Sequence, residues 1–444
     1  MNESQNIAII GAGLVGSLLS IYLVKRGYKV SVFERRDDLR KSDSEEGRSI
    51  NLALSNRGIR ALEDIGLASE AKNLAIPMHG RMMHGPTGNL SFLPYGKRGQ
   101  HINSISRTGL NQLLVSSAED QGVNFFFSNR CVSVNLEKTS ATFQTGDSDQ
   151  YTRSFDRIIG ADGAFSVVRV AMQFTDRFNY SQHYLEHGYK ELRIPADKDG
   201  GFVLDKNALH IWPRESFMMI ALPNPDGTFT CTLFLPFDGE RSFASLSDQL
   251  VKKFFYEFFP DAVKYMPALI DDYNSNPTSS LVTIRCLPWV RNNTFLVGDA
   301  AHGIVPFYGQ GMNAGFEDCR ILNELLNQHR DQWSPALDVF QTIRKEDCDA
   351  IAQLAFDNFI EMRDLVADPG FLLRKKIEAR LHELHPDEWI PLYSMVTFSE
   401  DIRYSEALRT GKKQEKIMDE VMKKPGISSH WRELDFKQIV DQLR

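Results

Sequence analysis

Residues 7–16, with the sequence IAIIGAGLVG, decide the fold of this chain. They join an apolar run at 7–10 to a Gly-x-Gly-x-x-Gly motif, and residues 16–26 continue as a helical pattern that Gly27 ends. A second apolar run at 30–33 completes a strand–helix–strand unit. The glycine motif alone would be weak evidence, but this context predicts a dinucleotide-binding turn in a Rossmann-like domain.

The glycines of this motif have separate expected roles. Gly11 allows the tight turn, Gly13 lets the backbone approach a pyrophosphate, and Gly16 permits close packing of helix against strand. The helix N-terminus offers unpaired N–H groups to phosphates, and Glu34, 23 residues after Gly11, can bind ribose hydroxyls. The predicted cofactor contacts in this segment are Gly11, Gly13, Leu14, Val15, Gly16, Glu34 and Arg35.

Two later corners and one helix start extend the predicted site. Residues 160–163 (GADG) and 298–302 (GDAAH) each follow an apolar run, and residues 309–313 (GQGMN) open a helix. An Asp at such a corner can bind a ribityl hydroxyl or simply cap a helix. If Asp162 is considered alone, the helix cap is the favoured role. Because several such corners occur in one chain, cofactor binding is favoured for the set. We therefore predict one FAD held by distant segments, with further contacts at Asp162, Asp299, Gly311, Met312 and Asn313.

Composition limits the class of protein. Lys and Arg number 51 against 58 Asp and Glu, a net charge of -7, which argues against nucleic-acid or anionic-membrane partners. The five cysteines are scattered, as is typical of free thiols in a reducing compartment. Neither a signal peptide nor an apolar stretch of roughly 20 residues is visible, and no His/Cys/Asp set has metal-ligand spacing. The prediction is a soluble, cytoplasmic protein without a membrane anchor or metal.

The chain changes character along its length. Strand-like alternation dominates residues 191–235, and a helical pattern follows Gly311 to the end. We predict an α/β fold in which a discontinuous Rossmann-like FAD-binding domain carries an inserted antiparallel β-sheet substrate domain and a helical C-terminal region. The predicted boundaries are 1–75, 98–178 and 285–330 for the FAD-binding domain, 76–97 and 179–284 for the sheet domain, and 331–444 for the helical region.

The three motifs, in this order, resemble those of the class A flavoprotein monooxygenases. Within that class the chain is similar to the kynurenine 3-monooxygenase family along most of its length. The segments that carry the resemblance are 33–36 (FERR), 47–54 (GRSINLAL), 188–191 (GYKE), 207–213 (NALHIWP), 219–224 (MIALPN), 305–307 (VPF) and 391–398 (PLYSMVTF). By this resemblance Arg48, Ala53 and Arg107 would also lie near the flavin.

The resemblance implies a reaction. An enzyme of this family would take a hydride from NADPH, bound transiently, add O₂ to the reduced flavin as a C4a-hydroperoxide, and hydroxylate L-kynurenine at ring position 3. The flavin carries that chemistry, so no catalytic side chain is assigned. His302 is expected to be structural, and Tyr308 receives no role. Eukaryotic members carry a C-terminal membrane anchor, which this sequence lacks.

Arg81 and Tyr95 are the expected carboxylate-binding pair of the substrate site. They flank the turn at 85–88, and an Arg can hold a carboxylate through paired charge-assisted hydrogen bonds. Strict pairing across a two-residue turn would set Arg81 opposite Phe92 and Tyr95 on the other face. Spacing alone favours a surface Arg and a half-buried Tyr, whereas the resemblance implies that both bind substrate.

Asn358 lies within an apolar helical stripe and therefore needs a hydrogen-bond partner. Its partner could be backbone or the substrate's amino-acid group, and the resemblance favours the substrate. The resemblance also places Tyr393 near the carboxylate. The expected ring slot comprises Leu209, Met218, Ile220, Leu222, Thr232, Phe234 and Phe307, several of which could equally be sheet core.

Two other functions stay open from sequence. One is a hydroxylase or epoxidase of the same fold acting on another aromatic compound. The other is a flavin-binding sensor or assembly module without turnover. A flavin halogenase is disfavoured because no Trp-x-Trp-x-Ile-Pro motif occurs. The oligomeric state is left open.

Overall fold

The computed structural model of the chain describes residues 5–41, 51–96, 99–146, 148–362 and 368–443. The strands are β1 (Asn6–Ile10), β2 (Lys29–Phe33), β3 (Leu52–Leu54), β4 (Ala75–Met78), β5 (Gly80–His84), β6 (Leu90–Pro94), β7 (Ile102–Ile105), β8 (Asn124–Phe126), β9 (Asn129–Asn135), β10 (Ser140–Thr145), β11 (Asp149–Ser154), β12 (Arg157–Gly160), β13 (Asn179–Ile194), β14 (Ala208–Arg214), β15 (Phe217–Pro223), β16 (Phe229–Pro236), β17 (Ser279–Leu287), β18 (Val290–Arg291) and β19 (Thr294–Leu296).

The helices follow the same order. They are α1 (Leu14–Lys25), α2 (Asn56–Ile65), α3 (Ala68–Asn73), α4 (Arg107–Asp120), α5 (Val167–Gln173), α6 (Asp248–Phe258), α7 (Pro260–Val263), α8 (Leu269–Ser275), α9 (Asp299–His302), α10 (Gly311–Gln328), α11 (Trp333–Ile360), α12 (Pro369–Leu384), α13 (Leu392–Thr397), α14 (Tyr404–Met422), α15 (Ile427–His430) and α16 (Phe436–Asp441). Two 3-10 helices span Pro306–Tyr308 and Trp431–Glu433.

A six-stranded sheet in the order β18-β19-β12-β1-β2-β8 forms the first half of the fold. Its central strands β12, β1 and β2 run parallel. The apolar residues of β1 are almost fully buried, because helices cover a parallel sheet on both faces. The strand–helix–strand unit predicted from residues 7–33 is confirmed, with α1 beginning two residues earlier than expected.

A seven-stranded sheet in the order β17-β13-β16-β15-β14-β5-β6 forms the second half. Both of its faces are buried, and the predicted alternation in β15 is confirmed. Met218 and Ile220 belong to the face that packs against α11 and α13. Phe217 and Met219 belong to the opposite face, which α6, α7 and α8 cover. The sequence reading had not predicted these three short helices.

The remaining architecture agrees with the predicted α/β fold class. Two three-stranded antiparallel sheets have the strand orders β11-β10-β9 and β3-β7-β4. From α10 to α16 the chain is helical, as the sequence predicted. Among the described residues, no helix combines the length and apolar character that a bilayer crossing requires. The residue boundaries proposed for the domains stay a prediction.

Candidate active site

The glycine turn between β1 and α1 is packed tightly at two of its glycines and open at the third. Gly11 has a φ of +104°, and a Cβ there would lie 2.5 Å from the Ala161 carbonyl oxygen. A Cβ on Gly16 would lie 2.0 Å from the Gly11 carbonyl oxygen. A Cβ on Gly13, in contrast, would meet no atom of a described residue within 4 Å. Gly11 and Gly16 thus serve packing, and Gly13 leaves space beside the start of α1.

Val15 joins this turn to the corner at Gly298 and to helix α10. Side-chain carbons of Val15 lie 3.1 Å from the Cβ position of Gly298 and 2.5 Å from that of Gly315. The Gly298 N–H donates to Asp318 Oδ2 over 3.0 Å. Segments almost three hundred residues apart therefore meet at one place, and Leu14, at the first position of α1, is buried there.

Glu34 ends β2 at the edge of the same turn. Its Oε2 accepts from the Ala12 N–H over 3.0 Å, and its Oε1 accepts from Nε of Arg36 over 2.9 Å. Burial opposes ionisation of Glu34, but the bonds from Arg36 outweigh it and keep its pKa below the usual range. Glu34 lines a small cleft together with Asn111 and Gln112 of α4. The neighbouring Arg35 is exposed.

The two corner aspartates differ. Asp162 Oδ2 accepts from the Val167 N–H at the start of α5, over 2.7 Å, so this oxygen caps a helix, as the simpler sequence reading expected. Its Oδ1 is buried without a partner, and burial raises the pKa of the carboxyl group. Asp299 is exposed at the start of α9. The Oδ1 atom of Asp162 and the carboxylate of Asp299 are therefore available to polar groups of a ligand.

Helix α10 starts beside β3. The Asn313 side chain donates to the carbonyls of Ala53 and Gly309, both over 2.8 Å, and accepts from the Ser55 N–H over 3.0 Å. Its predicted cofactor contact can therefore come only through its backbone. The N–H groups of Gly311, Met312 and Asn313 belong to the first helical turn, which has no intrahelical acceptors.

The two arginines that the resemblance placed near the flavin have different outcomes. Arg107 is exposed at the first position of α4, where the preceding Ser106 caps the helix by accepting from the Gly109 N–H over 3.2 Å. Arg48 lies outside the described residues.

The strand register brings Arg81 and Tyr95 to the same side, which corrects the register derived from a two-residue turn. Arg81 pairs with Leu93 instead of Phe92, because the chain closes through a bond from the Gly85 N–H to the Asn89 carbonyl. Tyr95, two residues after Leu93, therefore shares the face of Arg81. The guanidinium carbon of Arg81 lies 5.6 Å from the Tyr95 ring centroid.

Three tyrosines form a stack below this guanidinium. The Tyr393 ring is 5.1 Å from that of Tyr95 and 5.6 Å from that of Tyr308, with interplanar angles of 11° and 19°. Arg81 lies 4.9 Å from the Tyr393 centroid. Within the described part of the chain, Arg81 has no ion pair, and its polar neighbours are the buried hydroxyls of Tyr95 and Tyr393. Burial would lower its pKa, but the facing hydroxyls of Tyr393 and Tyr95 raise it.

Asn358 has a backbone partner. Its Nδ2 donates to the Phe307 carbonyl over 2.6 Å, so the backbone alternative is correct for the amide nitrogen. The Phe307 ring packs between Phe359, at 4.2 Å, and Phe234, at 4.9 Å between centroids.

Six of the seven predicted ring-slot residues share one face of the seven-stranded sheet, and the seventh, Phe307, lies in the 3-10 helix Pro306–Tyr308. Register pairs Arg81 with Leu209, Ile220 with Thr232, and Met218 with Phe234. Two apolar clusters meet on this face, and Leu209, Ile220 and Tyr393 belong to both. The structure thus gathers Arg81, Tyr95, Leu209, Met218, Ile220, Leu222, Thr232, Phe234, Phe307, Asn358 and Tyr393 between this sheet and helices α11 and α13.

Comparison with known proteins gives the family. Residues 4–354 match the model of an FAD binding domain. The chain is 50% identical over 448 residues to a kynurenine 3-monooxygenase of Christiangramia forsetii, covering 100% of this chain and 99% of the relative. It is 46% identical over 436 residues to that of Dictyostelium discoideum, covering 95% and 94%. The chain belongs to the kynurenine 3-monooxygenase family. It is therefore an FAD-binding monooxygenase.

A solved structure gives an independent comparison of the fold. The tetrameric form of 2-methyl-3-hydroxypyridine-5-carboxylic acid oxygenase is similar with a TM-score of 0.68 and 21% identity, over 84% of this chain and 96% of that one. This similarity agrees with the two-sheet architecture described above.

The described residues fit the FAD expected of this family. Open space at Gly13 beside a helix N-terminus suits a pyrophosphate. The unpartnered Oδ1 of Asp162 and the exposed carboxylate of Asp299 suit hydroxyl donors. Glu34, at the edge of the glycine turn, offers a carboxylate to ribose hydroxyls.

Sequence reasoning missed a buried ion-pair network behind this site. Arg344 donates from Nε to Asp318 Oδ1 over 2.8 Å and from Nη1 to Glu317 Oε2 over 2.7 Å. Arg57 donates to the other Glu317 oxygen over 2.6 Å, and His302 Nε2 lies 2.5 Å from Asp318 Oδ2. His302 is thus structural, as the sequence reading expected. The spacing of these residues gave no signal for the network.

Cys348 adjoins the network. Donor atoms of His302, Asp318 and Cys348 lie within 4.8 Å of one another, a proximity that the sequence did not predict. The Arg344 guanidinium already contacts both Asp318 and Cys348, so a positive charge occupies this cluster. Burial opposes protonation of His302, but Asp318 raises its pKa well above the usual value. The trio belongs to the ion-pair network.

Proposed function

We propose that the chain hydroxylates L-kynurenine at ring position 3, using FAD, NADPH and O₂. One oxygen atom of O₂ replaces a ring hydrogen as a hydroxyl group, and the other leaves as water with the electrons of NADPH. The observation that carries the substrate assignment is Arg81, a cation without an ion pair among the described residues, which lies over the rings of Tyr95 and Tyr393 at the end of an apolar wall. Family membership supports the same substrate.

FAD would lie where the glycine turn, the two aspartate corners and the start of α10 meet. Gly13 and the first turn of α1 would receive its pyrophosphate, and Glu34 its ribose. Asp162 and Asp299 would bind ribityl hydroxyls, and the N–H groups of residues 311–313 would face the ring edge. Bound FAD supplies the redox chemistry, accepting hydride from NADPH and activating O₂. Contacts of Ala53, Arg35, Arg48 and Arg107 are part of this proposal.

Arg81 would bind the substrate carboxylate through paired hydrogen bonds. The buried hydroxyls of Tyr95 and Tyr393 lie beside the Arg81 guanidinium, and one of them would add a third hydrogen bond. Because the amide nitrogen of Asn358 is bound to Phe307, its oxygen is the atom that would accept from the substrate ammonium group.

The apolar wall would hold the aromatic ring and keep water from the reacting position. Met218, Ile220 and Phe234 contribute it from the sheet, and Phe307 closes it from the side of α10. An aryl amine already enriches the ring in electrons at the ortho position, so no protein base is required. The side chains therefore orient the ring instead of exchanging protons with it.

A labelling experiment tests this proposal. The purified FAD-loaded protein is incubated with L-kynurenine, NADPH and ¹⁸O₂, and the product is analysed by mass spectrometry. We expect 3-hydroxykynurenine carrying one heavy oxygen, and unlabelled product from a control in H₂¹⁸O with ordinary O₂. Hydroxylation of a different aromatic compound, with kynurenine untouched, would reject the substrate assignment. FAD binding without NADPH consumption for any aromatic would favour a flavin-binding sensor.

Location and domain division remain part of the proposal. We expect the native protein in the soluble cytoplasmic fraction, free of nucleic acid, and the predicted domain boundaries can be tested by limited proteolysis of the FAD-loaded protein.

A further inference from the structure

Thr232 carries a polar atom that the protein itself leaves without a partner. The residue is 1% exposed on β16, and its Oγ1 makes no hydrogen bond with any residue that the structure describes. Glu191 lies directly opposite on β13, yet no hydrogen bond joins the two side chains. On its other side Thr232 pairs with Ile220 of β15. A buried hydroxyl without a partner is destabilising, so this one calls for an explanation.

The position of Thr232 points to a ligand. Its side chain is on the face of the sheet that carries Ile220, Met218 and Phe234, the wall proposed to hold the substrate ring. Strand β16 is three strands from β5, which carries Arg81. At about 4.8 Å per strand, Thr232 is about 14 Å across the sheet from Arg81. The two residues therefore mark opposite ends of the wall.

Kynurenine has a polar group that fits this end. Its ring amine is ortho to the side-chain ketone, so one amine N–H points at the ketone oxygen within the molecule. The second N–H points away and needs an acceptor when the ring is buried. The apolar side chains of the wall offer none, whereas a threonine hydroxyl can accept as well as donate.

We propose that Thr232 Oγ1 accepts a hydrogen bond from the ring amine of the bound substrate and so sets the selectivity for 2-aminophenyl ketones. This inference rests on the proposed function and adds a specificity-determining residue to it. The hydroxyl fixes the ring's rotation in the slot, and with it the carbon presented for hydroxylation.

The test compares two ligands and three variants of the FAD-loaded protein. The ligands are L-kynurenine and its analogue without the ring amine, 2-amino-4-oxo-4-phenylbutanoate, and their dissociation constants are measured by titration calorimetry. Thr232→Val keeps the side-chain shape and removes the hydroxyl, and Thr232→Ser keeps the hydroxyl. Thr230→Val is the matched control, since Thr230 lies on the same strand face and its hydroxyl already accepts from Asn224 over 3.1 Å.

We expect Thr232→Val to weaken kynurenine binding about 5- to 30-fold, the size of one buried hydrogen bond, and to leave the analogue unchanged. Thr232→Ser should keep most of the preference for kynurenine, and Thr230→Val should keep all of it. The melting temperature of Thr232→Val without substrate should equal or exceed that of the parent protein, because an unpaired hydroxyl has been removed.

Three outcomes would overturn the inference. These are equal loss for both ligands in Thr232→Val, unchanged kynurenine affinity in that variant, or the same loss in Thr230→Val. Failure of the parent protein to bind kynurenine at all would instead reject the proposed function, so the two failures are distinguishable.

Discussion

Arg344 and Arg81 are both arginines enclosed by the fold, but the protein treats their charges in opposite ways. Arg344 is fully buried and donates to Glu317, Asp318 and the Ala314 carbonyl. Arg81 rests on tyrosine rings and has no carboxylate partner among the described residues. An arginine that is paired with carboxylates of the protein stabilises the fold. An arginine without such a partner can bind an anionic group of a ligand.

The same contrast occurs twice in the cofactor site. The Cβ positions of Gly11 and Gly16 are filled by backbone, whereas that of Gly13 is open. One oxygen of Asp162 caps α5, whereas Asp299 is exposed. Gly11, Gly16 and the capping oxygen of Asp162 maintain the fold, whereas Gly13, the other Asp162 oxygen and Asp299 are left for the proposed FAD. Substitutions should therefore separate loss of stability from loss of binding.

The largest expected effect is on stability. Arg344→Met would remove the cation that Glu317 and Asp318 share and leave them buried with only Arg57 and His302, so we expect a loss of about 3–5 kcal/mol in unfolding free energy. Urea denaturation of the FAD-free protein measures it. The surface substitution Arg380→Met, which breaks only an exposed pair with Glu383, should cost less than about 1 kcal/mol. If the two variants had equal urea midpoints of unfolding, the ion-pair network would not stabilise the fold as we propose.

Arg81→Met should give the reverse pattern. Among the described residues no carboxylate loses an ion-pair partner, so unfolding free energy should change by less than about 1 kcal/mol. Kynurenine binding should weaken by about 2–4 kcal/mol, because the substrate carboxylate would enter the site unpaired. Calorimetric titration and urea denaturation on the same preparation measure both quantities. If Arg81→Met lowered the unfolding free energy but left kynurenine affinity unchanged, the role of Arg81 would be structural.

Gly13→Ala and Gly16→Ala form a second matched pair. The Cβ of Gly13→Ala enters open space, so the FAD-free protein should keep its stability while FAD affinity falls by about 1–3 kcal/mol through a clash with the pyrophosphate. Gly16→Ala meets the Gly11 carbonyl at 2.0 Å and should destabilise the FAD-free protein itself. Fluorescence titration with FAD and thermal unfolding distinguish them. Full FAD affinity in Gly13→Ala would disprove the assigned phosphate position.

Asp299→Ala and Asp162→Ala should show the smallest effects. Removing the exposed carboxylate of Asp299 should weaken FAD binding by about 1–2 kcal/mol without changing the stability of the FAD-free protein. Removing the Asp162 cap should cost about 1 kcal/mol of that stability. The purified Asp299→Ala protein is expected to lose its yellow colour on gel filtration. Full retention of colour would contradict the proposed contact.

Local sequence predicted much of the fold and part of the site. The motif at residues 7–16 could be interpreted because its glycines, strand and helix are contiguous. The alternation in β15 and β16 predicted the two faces of the sheet because side-chain direction there depends only on parity. The resemblance, not the spacing, pointed to Arg81 and Tyr95.

The parts that failed depend on tertiary structure. The hairpin register was wrong by one residue, since the closing bond runs from Gly85 to Asn89 and no pattern in the turn specified it. The ion-pair network joins residues from α2, α9, α10 and α11, and such distant partners leave no periodic signal. Whether a given Arg or Thr is satisfied within the protein becomes visible only when its neighbours are known.

The most direct test of the account is a binding cycle between Arg81 and the substrate carboxylate. L-kynurenine and kynuramine, which lacks the carboxylate, are titrated into the FAD-loaded parent protein and into Arg81→Met. If Arg81 binds that carboxylate, the binding free energy of the parent protein should favour kynurenine over kynuramine by about 2–4 kcal/mol. The variant should bind both ligands with equal affinity. An equal preference for kynurenine in both proteins would show that the carboxylate binds elsewhere and would contradict the account.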